Sequence, residues 1–265
     1  MTYLESILLG VLQGITEFLP VSSSGHLLVM RNLMGLGEIP LLYDVLLHVA
    51  TLVVVLWVFR ARVLRILAAL WRWVRRQTPE TDDSPQLKAA VTIVIATLVT
   101  GVLGLGIERL GLGAYPRLAG VMFMVTGGIL LLSRIPQGSR GFDTLRARDG
   151  AFVGFAQAFG VIPGISRSGI TISACLAAGL SRERSGELAF LVFVPAVLGA
   201  LTLTLRDFAD LSASVTPGVL AAGFVTSLVV GLTALTALLK VIRSGRLYLF
   251  SIYLIPAGIL TVVFV

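Results

Sequence analysis

The chain of 265 residues is 56% hydrophobic and only 13% charged, with a mean hydropathy of +0.95. So little charge cannot cover a water-soluble domain, so most of the circumference must face lipid, and at roughly 20 residues per helical crossing there is room for at most about ten spans. The net charge of +7 lies mostly in short segments between apolar runs, which reads as membrane topology and attraction to anionic lipid and argues against nucleic acid as a partner. A single cysteine, Cys175, leaves no disulfide framework.

The N-terminus has no basic leader and no small-residue cleavage site, so it does not read as a removable signal peptide. Two apolar stretches, 4–34 and 151–180, are each broken in the middle by Pro and Gly followed by serines. Each break leaves helical arms too short to span singly, which predicts re-entrant hairpins. Apolar runs long enough to cross fall at 41–59, 87–107, 118–132, 188–205, 219–239 and 247–265, the third being short unless its ends extend. The stretch RARVLRILAALWRWVRR, 60–76, alternates basic and bulky apolar residues, with Leu64, Leu67 and Trp71 at helical spacing, and predicts an interfacial helix. The polar linker QTPETDDSPQ that follows reads as an exposed loop and not a domain boundary. The expectation is a single all-α integral membrane domain over 1–265, with six transmembrane helices and two re-entrant helical hairpins.

Basic residues test this layout. Sixteen of the 21 lysines and arginines fall on one side of it, led by Arg60, Arg62, Arg65, Arg72, Arg75 and Arg76. Only Arg31, Arg109, Arg117 and Arg206 fall on the other, and Arg167 sits in the second break. The rule that positive loops stay inside puts the sixteen in the cytoplasm, both termini outside, and the first hairpin entering from the outer face. An internal repeat agrees. GVLQGITEFLPVSSSGH laid over GFAQAFGVIPGISRSGI pairs Gly10 with Gly154, Gln13 with Gln157, Ser22 with Ser166, Ser24 with Ser168 and Gly25 with Gly169 at one offset of 144. One hairpin and three crossings per half is an odd number of spans, so halves of about 1–133 and 145–265 would be inverted-topology repeats.

Such repeats bring both breaks together near the midplane, where non-helical backbone is tolerated only against protein or a water-filled cavity. Short-helix N-termini there favour an anion. The polar residues available are Glu17, Ser22, Ser23, Ser24, His26, Ser166, Arg167, Ser168 and Thr171. Arg167 offers a donor fork suited to phosphate oxygens, and a serine can attack phosphorus. Serines after proline can equally be no more than helix caps, and Glu17 and Arg167 can simply neutralise one another across the halves. Asp44, one helical turn before His48, is expected to support it from the same face.

The strings QGITEFLPVSSSGH and PGISRSG, together with YDVLLHVATLVVVLWVF and SRERSGELAFLVFVPAVLGA, resemble the BacA-type undecaprenyl-pyrophosphate phosphatases over nearly the whole chain. That resemblance implies a multi-pass enzyme of the bacterial cytoplasmic membrane that hydrolyses undecaprenyl pyrophosphate to undecaprenyl phosphate and inorganic phosphate. Such enzymes recycle the lipid carrier of cell-wall synthesis and are associated with bacitracin resistance. The resemblance implies Ser23 as the candidate nucleophile, with direct attack by an activated water the alternative, Glu17 in acid–base or metal chemistry, His26 in phosphate binding or proton transfer, and Arg167 as the pyrophosphate clamp flanked by Ser166, Ser168 and Thr171. It also implies a divalent cation, Mg2+ or Ca2+, with Glu17 as its one candidate ligand, because Gln13 stands where many relatives carry a second glutamate. Membrane lipids and the lipid pyrophosphate are the expected partners, with a homodimer left open. The site is expected to open to the outer face. The alternative function is a polyprenyl-phosphate transporter or flippase that uses the same anion site, since broken helices in inverted repeats also suit alternating access.

Overall fold

Eleven α-helices run through the residues that the computed structural model describes, 1–36, 41–112, 115–134, 138–204 and 215–265. Leu205, the end of the fourth apolar run, and Arg206 lie outside them. Helix α1 (Tyr3–Phe18) is opened by a capping box between Thr2 and Glu5. It stops at Leu19, in extended backbone at ψ 139°, because Pro20 disfavours a helical residue before it and has no N–H to donate. Helix α2 (Ser23–Met34) restarts behind Ser22, whose φ of 73° lies in the left-handed region and whose hydroxyl accepts the Gly25 N–H at 3.3 Å.

Between them and the second break run α3 (Leu41–Val58), α4 (Arg60–Val74), α5 (Asp83–Glu108) and α6 (Pro116–Leu131). The second break repeats the pattern of the first. Helix α7 (Ala147–Ala158) ends in a 3-10 turn, Gly164 takes φ 96°, and α8 (Arg167–Ala177) restarts with the Ser166 hydroxyl accepting the Gly169 N–H at 3.1 Å. The arms, 16, 12, 12 and 11 residues long, fall short of a crossing. Helices α9 (Arg182–Thr204), α10 (Pro217–Ser244) and α11 (Ser251–Phe264) complete the chain.

Among the described residues five elements are long and apolar enough to cross a membrane: Asp83–Glu108, Pro116–Arg134, Arg182–Thr204, Pro217–Ser244 and Leu247–Phe264. A sixth is added if α3 and α4, bent by 78° at Phe59, count as one span. The short run at 118–132 gains its length because Pro116 opens the helix, where its missing N–H costs nothing, and a 3-10 turn carries it to Arg134. Val91, Val94, Leu98 and Val102 on α5, and Ile252, Ile259 and Val263 on α11, stay exposed in helical rows that only lipid can cover. The chain is thus a multi-pass membrane protein. Helix α4 is two-sided: Arg62, Ile66 and Ala69 bury against the bundle while Leu64, Leu67, Trp71 and Trp73 face outward. The polar linker is shorter than its composition predicts, because Asp83 opens α5, where it is buried and accepts from Arg72 at 2.5 Å.

Partners are exchanged between the ends of the chain. A Cβ at Gly10 would stand 2.5 Å from the carbonyl of Gly223, so α1 lies directly on α10; one at Gly154 would stand 2.5 Å from the carbonyl of Ala96, so α7 lies on α5. Phe18, Val54, Phe190, Leu235 and Ile242 join α1, α3, α9 and α10 in one apolar core. The two breaks meet directly. The Gly164 N–H donates to Ser22 Oγ at 3.1 Å, a Cβ at Gly25 would stand 2.7 Å from Gly164 N, and one at Gly169 would stand 3.2 Å from Pro20 Cβ.

Candidate active site

Helix α1 delivers Glu17 in its last turn and α2 delivers Ser23 in its first, so the Pro20 break brings residues six apart into contact. Ser23 Oγ donates to Glu17 Oε2 at 2.5 Å, and both residues are buried. The same oxygen accepts from Gln13 Nε2 at 3.0 Å, one turn earlier, and meets His48 Nε2 from α3 at 3.1 Å. Among the described residues nothing donates to Oε1. His48 Nδ1 lies 2.8 Å from the carbonyl of Asp44, which can only accept, so Nδ1 carries a hydrogen. The contact between Nε2 and the carboxylate therefore needs a second proton, and Glu17 and His48 hold it between them.

From the other break, α8 presents Arg167 in its first turn. Its guanidinium lies over the Phe193 ring, 5.5 Å from the centroid. The alternative that Arg167 simply neutralises Glu17 is not seen: among the described residues no ion pair joins the two, and Glu17 has His48 instead. Both line the same two clefts, one with Phe18, Thr171 and Phe193, the other with Ser22, Ser23, Ser24, His48 and Ser166. A larger cavity of about 450 Å³ opens beside them, lined by Ser24, Arg31, Asp44, His48 and Arg167 and walled by Leu27, Leu28, Val197 and Leu203. Arg167 lines all three. Thr171 Oγ1 is buried at the first cleft with no described partner, a donor free for a ligand. Ser168 Oγ lies 3.1 Å from Ser166 Oγ, and Ser24 Oγ lies 3.5 Å from Ser22 Oγ.

Other expected residues stand elsewhere. His26 has Nδ1 at 2.7 Å from the Ser22 carbonyl and Nε2 at 2.7 Å from the Tyr253 hydroxyl, and it lies between the Phe123 and Tyr253 rings. It is absent from the described linings of the three cavities. Gln157, the counterpart of Gln13, donates to Thr100 Oγ1 at 3.3 Å and ties α7 to α5. Asp44 supports His48 through its backbone alone, because its carboxylate takes both terminal nitrogens of Arg31. Arg31 was not among the expected site residues, nor was Thr126. The Thr126 hydroxyl accepts from Ser166 N–H at 3.1 Å and donates to the Gly164 carbonyl at 2.9 Å, which fixes the second break. Each carries a sequence signal: Arg31 is a charge within a broken apolar stretch, and Thr126 precedes two glycines inside an apolar helix.

No group of three His, Cys, Asp or Glu gathers among the described residues, so a cage made by the protein alone does not fit a cation. Glu17, whose Oε1 accepts from no described residue, is the one carboxylate at the clefts that could meet a cation arriving with phosphate ligands of its own.

Comparison with known proteins identifies the family. A family profile described as "Bacitracin resistance protein BacA" matches residues 6–260. The chain is 42% identical to an undecaprenyl-diphosphatase of Treponema denticola over 98% of its own length and 96% of the relative's. It is 40% identical to one of Desulfatibacillum aliphaticivorans over the full length of both, and 35% identical to one of Carboxydothermus hydrogenoformans over 98% and 96%. Matches of this extent, carried through both broken hairpins, mean that the chain belongs to the BacA family of undecaprenyl-diphosphatases.

Proposed function

We infer that the protein hydrolyses undecaprenyl pyrophosphate to undecaprenyl phosphate and inorganic phosphate, returning the lipid carrier to cell-wall synthesis. The observation that carries this reading is Ser23 Oγ at 2.5 Å from Glu17 Oε2, in a cleft shared with Arg167. Glu17 takes the Ser23 proton as Oγ attacks the terminal phosphorus. The bond from that phosphorus to the bridging oxygen breaks, and undecaprenyl phosphate leaves a phosphoserine behind. Water then adds to phosphorus, the bond to Oγ breaks, and Ser23 regains a proton from Glu17. Arg167 and the N–H groups at the starts of α2 and α8 offset the charge on the equatorial oxygens, which is most of what phosphoryl transfer needs. The Thr171 hydroxyl adds a donor, Ser22 and Ser166 hold the helix starts, and the apolar wall of the large cavity takes the prenyl chain. With Glu17 as its one protein ligand, a Mg2+ or Ca2+ ion would offset phosphate charge when bound.

In the same reading the chain makes six crossings with two re-entrant hairpins, in inverted repeats of about 1–133 and 145–265. Both termini lie outside the cell and the large cavity opens to the outer face. The exchange of α1 onto α10 and of α7 onto α5 supports the inversion, since the first arm of each hairpin packs on a span of the other half. The test is phosphate release from undecaprenyl pyrophosphate by the purified protein, with EDTA and then with added Mg2+ or Ca2+. Arg167→Ala and Ser23→Ala should each lower turnover by about 10³-fold or more without loss of folding. Flux of lipid phosphate in proteoliposomes with no phosphate release under any of these conditions would overturn hydrolysis in favour of transport.

A further inference from the structure

A second cavity, of about 350 Å³, lies where the α3–α4 bend meets the first turns of α9 and the last turns of α10. It shares no lining residue with the clefts around Arg167. Its charged lining is Arg62, Arg65, Arg184 and Arg243 against Glu183 and Glu187, an excess of two positive charges.

The deepest pair belongs to the fold. Arg62 and Glu187 are each 8% exposed; Arg62 Nε donates to Glu187 Oε1 at 2.5 Å and Nη1 donates to Gln86 Oε1 at 3.2 Å. Arg184 Nη1 donates to Glu187 Oε2 at 2.7 Å, so one carboxylate serves two guanidiniums. Arg243 shares Glu183 at 3.0 Å on the rim, where both are well exposed. Arg65 commits only Nε, to the Ala61 carbonyl at 3.3 Å, and its two terminal nitrogens have no described partner. Phe59, Leu239 and Ile242 form an apolar wall, and the outward face of α4 beside it carries Leu64, Leu67, Trp71 and Trp73. A concave site with surplus guanidinium, at the ends of spans and next to an apolar helix face, has the chemistry of a lipid phosphate whose chains run down the wall.

We propose that this cavity binds the phosphate headgroup of an anionic phospholipid, held by Arg65, Arg184 and Arg243. Native mass spectrometry of the full chain in detergent, titrated with phosphatidylglycerol or with phosphatidylcholine of the same chains, tests it. The wild type should retain the anionic lipid preferentially. Arg65→Gln and Arg243→Gln should each weaken that retention roughly fivefold. Arg65→Lys should retain most of it, and Arg117→Gln, which removes an exposed charge at the start of α6, should leave it unchanged. Phosphate release by the Arg65 and Arg243 variants reports that they are folded, since neither residue lies in the catalytic clefts. Equal retention of the two lipids, or equal behaviour of Arg65→Gln and Arg117→Gln, would overturn the proposal. Displacement of the lipid by millimolar inorganic phosphate would overturn the lipid in favour of the free ion.

Discussion

Glu17 Oε2 gathers three side chains that approach from three helices: Ser23 at 2.5 Å, Gln13 at 3.0 Å and His48 at 3.1 Å. A carboxylate so surrounded is held in one orientation to take the Ser23 proton, while His48 shares the proton already between them. In His48→Gln the amide can still donate to Glu17 but cannot hold a mobile proton. Steady-state kinetics should show kcat lowered by about 10²-fold with KM little changed, the pattern of a group that acts in the transition state. Both nitrogens of His26 are engaged, by the Ser22 carbonyl and the Tyr253 hydroxyl, and this suits a residue that holds the left-handed Ser22 in place. The motif residues Glu17, Ser22, Ser23 and Arg167 were legible in the sequence because ionisable and hydroxyl groups within apolar runs stand out there. The partner of His48 was not. Periodicity puts Asp44 and His48 on one face of α3, but it carries no information on which carboxylate a neighbouring helix brings up or on the bond between Arg31 and Asp44.

At the scale of elements, the breaks were readable because proline, glycine and capping serine act locally, whereas the end of the polar linker was not, since Asp83 joins α5 only through its distant partner Arg72. That the two breaks come together was expected from the internal repeat, but their closeness was not, because it depends on Gly25 lacking a side chain where it crosses the backbone of Gly164 and on Gly169 lacking one against Pro20. In Gly25→Ala the added methyl would meet the Phe123 ring and Gly164, at 2.6 and 2.7 Å. Backbone there cannot yield as a flexible side chain does, so the variant should lose about 1–3 kcal/mol of stability, read as a lower midpoint of thermal unfolding in detergent. Gly35→Ala, where nothing stands within 4 Å but φ is 61°, separates strain from collision: it should cost about 1 kcal/mol and leave activity intact.

For the molecule as a whole, charge decides orientation and packing decides shape. The basic segments between spans predict that a cysteine placed at Gln77 is reached by an impermeant thiol reagent only after cells are opened, while one at Arg117 is reached in intact cells. Cys175 is buried and should stay silent in both. The reverse labelling pattern would turn the assigned topology over. Total apolar content and run length made the membrane class and most span ends legible, but the bend at Phe59 carries neither proline nor glycine and was visible only as a change from apolar to basic sequence.

The hydrogen bond from Gly164 to Ser22 closes a loop of 142 residues. During synthesis the first hairpin can settle against α3 and α6 early, but the ribosome has made well over half the chain before Ser22 can meet its partner in the second break. A nascent chain that ends before Arg167 holds Glu17 without its partner and should be inert towards the lipid pyrophosphate. Activity must wait at least until the second hairpin docks on the first.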